Sequence, residues 1–237
     1  MSVATQDKQQ RNIDFFRHLD ADRYSVYRLY PQEKLLIAKY YKSGESVLDL
    51  ACGCGRTTLR LHEMGMRVKG TDVADTFIEV ARRRFPYLPL ELGSYLDIRE
   101  PGASYDHVLI SFNGIDYAWP EENRHRALRE CHRVLRPGGT LIFSSHNIKS
   151  FHVSPCYWKR GEFQDKLRNT FTAFREQAYI GNTGLHTFFA SPDYVIRQTA
   201  AEGFEFLEMA GFRNIRRPLL NRFYSPYIHY AFRKTAN

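Results

Sequence analysis

Short apolar runs alternate with amphipathic stretches along most of the chain. Residues 47–50, 88–92, 107–112 and 140–144 are largely apolar runs too short for helices, and together with 67–71 they are bounded by Gly, Pro or polar positions and read as strands. Between them, residues 57–64, 75–84 and 122–135 carry helical spacing. This alternation predicts an α/β fold, a mostly parallel sheet wound on both faces. Residues 7–19 and 31–41 read as helices that open the chain, with Pro31 suited to a first helical turn, so residues 1–43 form an N-terminal helical flank. Ser191-Pro192-Asp193 starts a further helix running toward Ala210, and strands at 212–216 and 227–233 bring the expected sheet to seven strands. Between residues 148 and 185 the rhythm breaks into an aromatic, basic and polar stretch without a period. That stretch is expected to be a cap inserted after the fifth strand, able to wall a substrate off from water.

The join between the first strand and the helix after it is the most informative segment. Val47-Leu48-Asp49-Leu50-Ala51-Cys52-Gly53-Cys54-Gly55-Arg56-Thr57-Thr58 passes from strand to helix through a turn with almost no side chain. Gly53 and Gly55 permit positive φ and a close approach of backbone to a ligand, and the following helix begins with exposed donors and a positive dipole end. Asp49 brings an acceptor to the strand's end, so the turn suits a ligand carrying both ammonium and carboxylate groups. A dinucleotide fingerprint requires a third glycine where this chain has Thr58. Asp72 closes the second strand, just before Val73, where an α/β fold sets a carboxylate against a ribose diol.

The order Asp49-x-Ala51-x-Gly53-x-Gly55 resembles the first motif of class I S-adenosylmethionine-dependent methyltransferases, with Ala51 in place of the usual Gly. Gly93-Ser94-Tyr95-Leu96-Asp97 is similar to the family's segment against the adenine, with Ser94 in place of Asp, and residues 129–139 resemble its helix and turn before strand five. In order and spacing the resemblance covers residues 34–146, and by it the chain is identified as a member of that family; residues 223–230 and Ser145-His146-Asn147 are similar to a bacterial subgroup of small-molecule methyltransferases. It implies a Rossmann-like methyltransferase fold and S-adenosylmethionine as cofactor, held by Asp49, Ala51, Cys52, Gly53, Gly55, Arg56, Asp72, Val73, Ser94, Tyr95, Phe112, Asn113 and Gly114. The activity it implies is methylation of oxygen or nitrogen on a small metabolite, a sugar or a specialised natural product. RNA or protein methylation, and cofactor binding without turnover, are the alternatives.

Methyl transfer to a hydroxyl also needs a place for a proton. His146, just after the fifth strand, is the first candidate base, and Asp116 the second; a hydrogen-bonded turn histidine is the competing role for His146. Tyr117, His186 and Trp158 are the expected substrate contacts.

Composition narrows the partners. With 237 residues and 43% hydrophobic content, the chain is expected to form one domain with a full core. No run is long enough to span a bilayer, and residues 1–11 lack the apolar centre of a secretory signal, so a soluble, cytoplasmic protein with no membrane partner is expected. The formal charge of +8 suits an anionic partner, a small metabolite or a nucleic acid, without choosing between them; it also suits a solvated basic surface. Cys52 and Cys54 are one residue apart and read as reduced turn residues rather than metal ligands, and no metal-binding spacing occurs.

Overall fold

The computed structural model describes residues 3–21, 28–150, 175–182, 185–211 and 217–235. Its elements are α1 Val3–Arg17, α2 Pro31–Tyr40, β1 Ser46–Leu50, α3 Arg56–Glu63, β2 Arg67–Asp72, α4 Asp75–Arg84, β3 Leu90–Leu92 and β4 Tyr105–Ile110. A 3₁₀ turn at Gly114–Tyr117 follows, then α5 Glu121–Val134, β5 Leu135–Asn147, β6 Gln177–Asn182, β7 Leu185–Ala190, α6 Pro192–Ala200, β8 Phe204–Gly211, α7 Pro218–Tyr224 and β9 Tyr227–Lys234.

β1 is buried along its whole length because it lies between two parallel neighbours, β2 and β4, and is covered on both faces. The core sheet runs β3-β2-β1-β4-β5 in parallel, and β9 then pairs antiparallel with β5, and β8 antiparallel with β9. The expected seven-stranded, mostly parallel sheet of Rossmann-like type is therefore present. Alternate residues feed opposite faces. Val108, Ile110, Leu141, Phe143, Tyr230 and Phe232 pack in one cluster with Leu128 and Val134 of α5, while Leu109, Ile142 and Ala231 meet Leu36 and Ile37 of α2.

Three elements differ from the sequence reading. The helix expected to run to Ala210 stops at Ala200; Gly203, at φ +83°, turns the chain into β8, whose edge pairs with β9. The expected strand at 212–216 lies wholly outside the described residues, and a strand not expected from the sequence, 204–211, stands next to it in the chain. Pro137-Gly138-Gly139 is not a turn before the fifth strand but an irregularity inside it, with Gly138 at φ +75° and the β4–β5 register shifting beside it. Of the expected cap, residues 151–174 and 183–184 lie outside the described set. Its far end is regular: β6 and β7 form an antiparallel hairpin, and β7 joins β5 at His146 and Asn147, beyond the end of β4.

Candidate active site

The carboxyl ends of β1, β2 and β4 open toward the same side, as expected for ligand sites of parallel sheets. Ala51, Gly53 and Gly55 have φ of +52°, +56° and +81°, so the turn between β1 and α3 is left-handed at alternate positions. An alanine in that region is strained. The space it needs comes from Gly114 opposite, where an added Cβ would lie 2.8 Å from the Ala51 methyl.

Asp49 does not stand on the cavity wall. It is wholly buried under the turn, where Oδ2 accepts hydrogen bonds from Thr57 Oγ1 at 2.7 Å and Thr58 Oγ1 at 2.6 Å, while Oδ1 has no partner among the described residues. Burial pushes its carboxyl up to about 6, against the pull of the two threonine hydroxyls and Arg56. Asp72 does reach the wall. Its Oδ2 accepts from Gly53 N and its Oδ1 from Ala74 N, each at 2.8 Å. Each oxygen retains a lone pair for a further donor. Burial raises the Asp72 carboxyl, and the N–H groups of Ala74, Gly53 and Val73 work against that rise. Because the Gly53 amide is committed to Asp72, the donors left for a ligand are those of the first turn of α3.

A cavity of ≈ 240 Å³ lies above this floor. Ala51, Cys52, Gly53, Arg56, Asp72 and Val73 form one side; Ser94, Tyr95, Phe112, Gly114 and Tyr117 continue it. Gly55 and Asn113 lie behind the wall, Asn113 donating its amide to Ser144 Oγ at 2.8 Å. The roof is α1, whose Gln9, Asn12, Ile13, Phe15 and Phe16 close the cavity from above. Asn12 fastens α1 there, its Nδ2 donating to the Tyr117 and His186 carbonyls at 2.9 and 3.0 Å and its Oδ1 accepting from His186 N at 2.8 Å. His186 is thus held through its backbone, with its ring 5.5 Å from that of Trp119; its neighbour Leu185 lines the cavity. Trp158 lies outside the described residues.

Arg56 is held by a residue that the sequence did not single out. Glu33, buried at the start of α2, receives both guanidinium nitrogens of Arg56 at 2.7 Å, the Tyr30 amide at 2.7 Å and the Ser111 hydroxyl. Burial alone would raise the Glu33 carboxyl, but Arg56 and the nearby His229 hold it well below the usual range. Arg56 also lies against the Tyr30 ring, which stacks on Phe112.

Residues 47–139 match the family model for a methyltransferase domain. The chain is 34% identical over 128 residues to the malonyl-[acyl-carrier protein] O-methyltransferase of Serratia marcescens, covering 54% of this chain and 49% of that protein. It is 34% identical over 140 residues to the demethylmenaquinone methyltransferase of Symbiobacterium thermophilum, covering 51% of each. The chain spans about half the length of the curated relatives it matches. Among solved structures, the 1,6-didemethyltoxoflavin-N1-methyltransferase of Burkholderia thailandensis, bound to 1,6-didemethyltoxoflavin and S-adenosylhomocysteine, shares the fold at TM-score 0.70 and 17% identity, over 100% of this chain and 92% of that one. A S-adenosylmethionine-dependent methyltransferase of Methanosarcina mazei does so at 0.67 and 17%, over 88% and 99%. Residues 47–139 thus carry the features of a methyltransferase domain, and the chain shares the fold of S-adenosylmethionine-dependent methyltransferases.

The donor set around the turn fits S-adenosylmethionine. Asp72 offers free lone pairs at the wall, the first turn of α3 offers N–H groups, and Asp49 holds an unpartnered oxygen beneath them. Asp116 is placed otherwise than expected. Its side chain is wholly buried and turned away from the cavity, with Oδ1 accepting from Arg124 Nη1 at 2.6 Å and Ser145 Oγ at 2.7 Å. Its Oδ2 accepts from His146 N and stands 2.7 Å from His146 Nδ1. Asp116 and His146 are thus brought together as partners rather than as alternatives. Arg124, fully buried at the start of α5, gave no signal in the sequence beyond lying on a helix rich in arginine. Among the described residues, no group of His, Cys, Asp and Glu is arranged to hold a metal ion, and no helix is long and apolar enough to cross a membrane.

Proposed function

We propose that this methyltransferase transfers the methyl group of S-adenosylmethionine to oxygen or nitrogen of a small metabolite, a sugar or a specialised natural product being the expected range. The observation that carries the reading is the cavity between the glycine turn, Asp72 and the α1 roof, because a covered chamber suits an acceptor small enough to be enclosed. When bound, the sulfonium supplies an already activated methyl group, so the chain's tasks are alignment, exclusion of water and handling of a proton. Asp72 is suited to the ribose hydroxyls. Tyr95 and Val73 can enclose the base, with Ser94 at its edge. Phe16, Phe112 and Tyr117 make the remaining wall apolar and keep water from the reacting centre.

The Burkholderia neighbour, bound to a small heterocycle, supports this reading. RNA or protein methylation has the charge of +8 in its favour. Several cations are spent on carboxylates, however: Arg56 on Glu33, Lys69 on Glu100, Arg124 on Asp116 and Arg136 on Asp106. Incubation with methyl-labelled S-adenosylmethionine and three separate acceptor pools, low-molecular-mass metabolites, total RNA and protein, decides among the readings. Label is expected in the metabolite pool. Label confined to RNA or protein would replace this reading with the second, and tight binding without label in any pool would leave only a cofactor-binding role.

A further inference from the structure

The turn after β3 sends a phenol toward the β4 side of the cavity. That turn is closed by the Asp97 amide on the Ser94 carbonyl at 3.2 Å and the Leu96 amide on Ser94 Oγ at 3.1 Å, with Tyr95 at its tip. The Tyr95 side chain belongs to the cluster of Ile110, Ile115, Ala118 and Leu128, not to that of Ile78 and Leu90 next to β3. Only 8% of the residue is exposed, yet it lines the cavity. Its hydroxyl has no hydrogen-bond partner among the described residues and is not sealed off from the cavity. The charges that act on it are Asp72, at the end of β2, and Arg124 and Asp116, beyond the end of β4, so the hydroxyl stands between the expected ribose position and the 3₁₀ turn. Burial pushes the phenol well above its ordinary range, so it keeps its proton to donate.

The β4 side of the cavity is aromatic. Phe112 and Asn113 have φ of +51° and +59°, a region that a bulky residue rarely occupies. The Asn113 amide on Ser144 Oγ at 2.8 Å and the Gly114 amide on the Ser111 carbonyl at 3.1 Å hold them there. This backbone sets the Phe112 ring at the cavity wall, where the residue is 52% exposed. Tyr30 lies nearly parallel to it, 6.0 Å between ring centres, and Phe16 meets the Tyr117 ring at 4.8 Å and 70°. Nearby polar side chains are spent within the protein, Ser111 on Glu33 and Arg56, and Asn12 on the backbone of Tyr117 and His186. Gln9 Oε1 receives the Trp119 amide at 2.6 Å, which leaves the Gln9 amide nitrogen. A sugar enclosed here would need a partner for each of several hydroxyls, because an unpaired buried hydroxyl is costly. A flat ring with one or two polar edge atoms needs an aromatic face and a donor.

We propose that the methyl acceptor is a planar conjugated ring, laid against Phe112 and held at an edge oxygen or nitrogen by a hydrogen bond from the Tyr95 hydroxyl. The inference rests on the methyl-transfer reading and narrows its acceptor from small metabolites in general to flat aromatic or heteroaromatic ones. The Phe112 face fixes the plane of the ring, and the hydroxyl fixes its rotation within that plane. Together they decide which edge atom is presented for transfer.

The test is the binding of four probes to the protein saturated with S-adenosylhomocysteine, followed by ligand-observed NMR and calorimetry. Quinolin-4-one is flat and carries a carbonyl; decahydroquinolin-4-one keeps the polar atoms but is not flat; naphthalene is flat without a polar edge atom; methyl glucoside stands for sugars. Quinolin-4-one is expected to bind at least about tenfold more tightly than decahydroquinolin-4-one or methyl glucoside, through its aromatic contacts. Phe112→Leu is expected to weaken quinolin-4-one roughly two- to tenfold. Tyr95→Phe is expected to weaken it by roughly the same factor, the worth of one hydrogen bond, and to leave naphthalene unaffected. No preference of the wild type for quinolin-4-one over the saturated ring and the sugar would overturn the inference, and that comparison depends on no variant. So would a folded Phe112→Leu variant that binds quinolin-4-one as the wild type does, or a Tyr95→Phe loss that falls equally on naphthalene or on S-adenosylhomocysteine. Calorimetry separates the two levels: failure of both S-adenosylmethionine and S-adenosylhomocysteine to bind removes the methyl-transfer reading, whereas their binding without a preference for the flat carbonyl probe removes only this inference.

Discussion

Replacing Glu33 with Ala removes the one carboxylate that holds Arg56 between α2 and the cofactor turn. The Glu33 side chain is 0% exposed and Arg56 12%, and four donors lose the carboxylate at once: both guanidinium nitrogens, the Tyr30 amide and the Ser111 hydroxyl. Breaking a buried pair from one side costs about 3–5 kcal/mol, because the remaining charge is left uncompensated. Arg56 keeps its bond to the Arg28 carbonyl and a small exposed surface through which water can reach it, so the lower end, about 3 kcal/mol, is expected. For a chain of this size that corresponds to a fall in Tm of roughly 6–12 °C. Urea denaturation and calorimetry measure both. The pH dependence has a definite sign: the folded state holds the Glu33 carboxyl below its ordinary range, so its contribution is complete above that range and is lost as the pH falls through and below it. Glu33→Leu combined with Arg56→Met is expected to recover most of the loss, since no unpaired charge remains. A loss below about 1 kcal/mol for Glu33→Ala, within the span of ordinary substitutions, would refute the account of this pair.

The remaining predictions concern the turn and the roof. Folding raises the Asp49 carboxyl to about 6, so its contribution to stability is complete below the ordinary aspartate range and is lost as the pH rises through about 6. A cationic ligand above it favours the ionised form; S-adenosylmethionine is therefore expected to bind more tightly as pH rises across that window and to release protons, and calorimetry in buffers of different ionisation heat would find no release if the idea is wrong. Gly114→Ala sets a methyl 2.8 Å from that of Ala51 and is expected to cost about 1–3 kcal/mol, most of it regained by adding Ala51→Gly; denaturation curves in which the second change brings no recovery would contradict the pairing. Asn12→Ala removes three hydrogen bonds between α1 and the opposite wall and is expected to speed release of S-adenosylhomocysteine in stopped-flow displacement; an unchanged rate would show that α1 does not retain the ligand.

The parts of this fold written in local spacing were legible in the sequence, and those that depend on distant pairing were not. The glycine turn and the strand ends at Asp49, Asp72 and Phe112 follow from apolar runs and positive-φ positions, so both the sheet and the cofactor side of the cavity could be read. Residues 204–211 have the composition of a helix, and only their pairing with β9 makes them a strand. Pro137-Gly138-Gly139 carries turn chemistry that β5 absorbs as a bulge between its neighbours. Asn12, Glu33 and Arg124 are polar residues on helices, indistinguishable along the chain from solvated ones. Their roles come from partners far along the chain, Arg56 for Glu33 and His186 for Asn12, and for Arg124 from the buried Asp116 carboxylate together with Gln198. Asp116 was noticed for the right region, but the direction of its side chain is set by β5.

In the proposed binding mode S-adenosylmethionine occupies the cavity with its ribose on Asp72. Titration calorimetry of the wild type and of Asp72→Ala tests it most directly. The wild type is expected to bind S-adenosylmethionine and its demethylated product, and the variant to bind each with a loss of roughly 1.5–3 kcal/mol, the worth of hydrogen bonds to a charged acceptor. Unchanged affinity in a folded Asp72→Ala variant, or preference of the wild type for a nicotinamide dinucleotide, would contradict it.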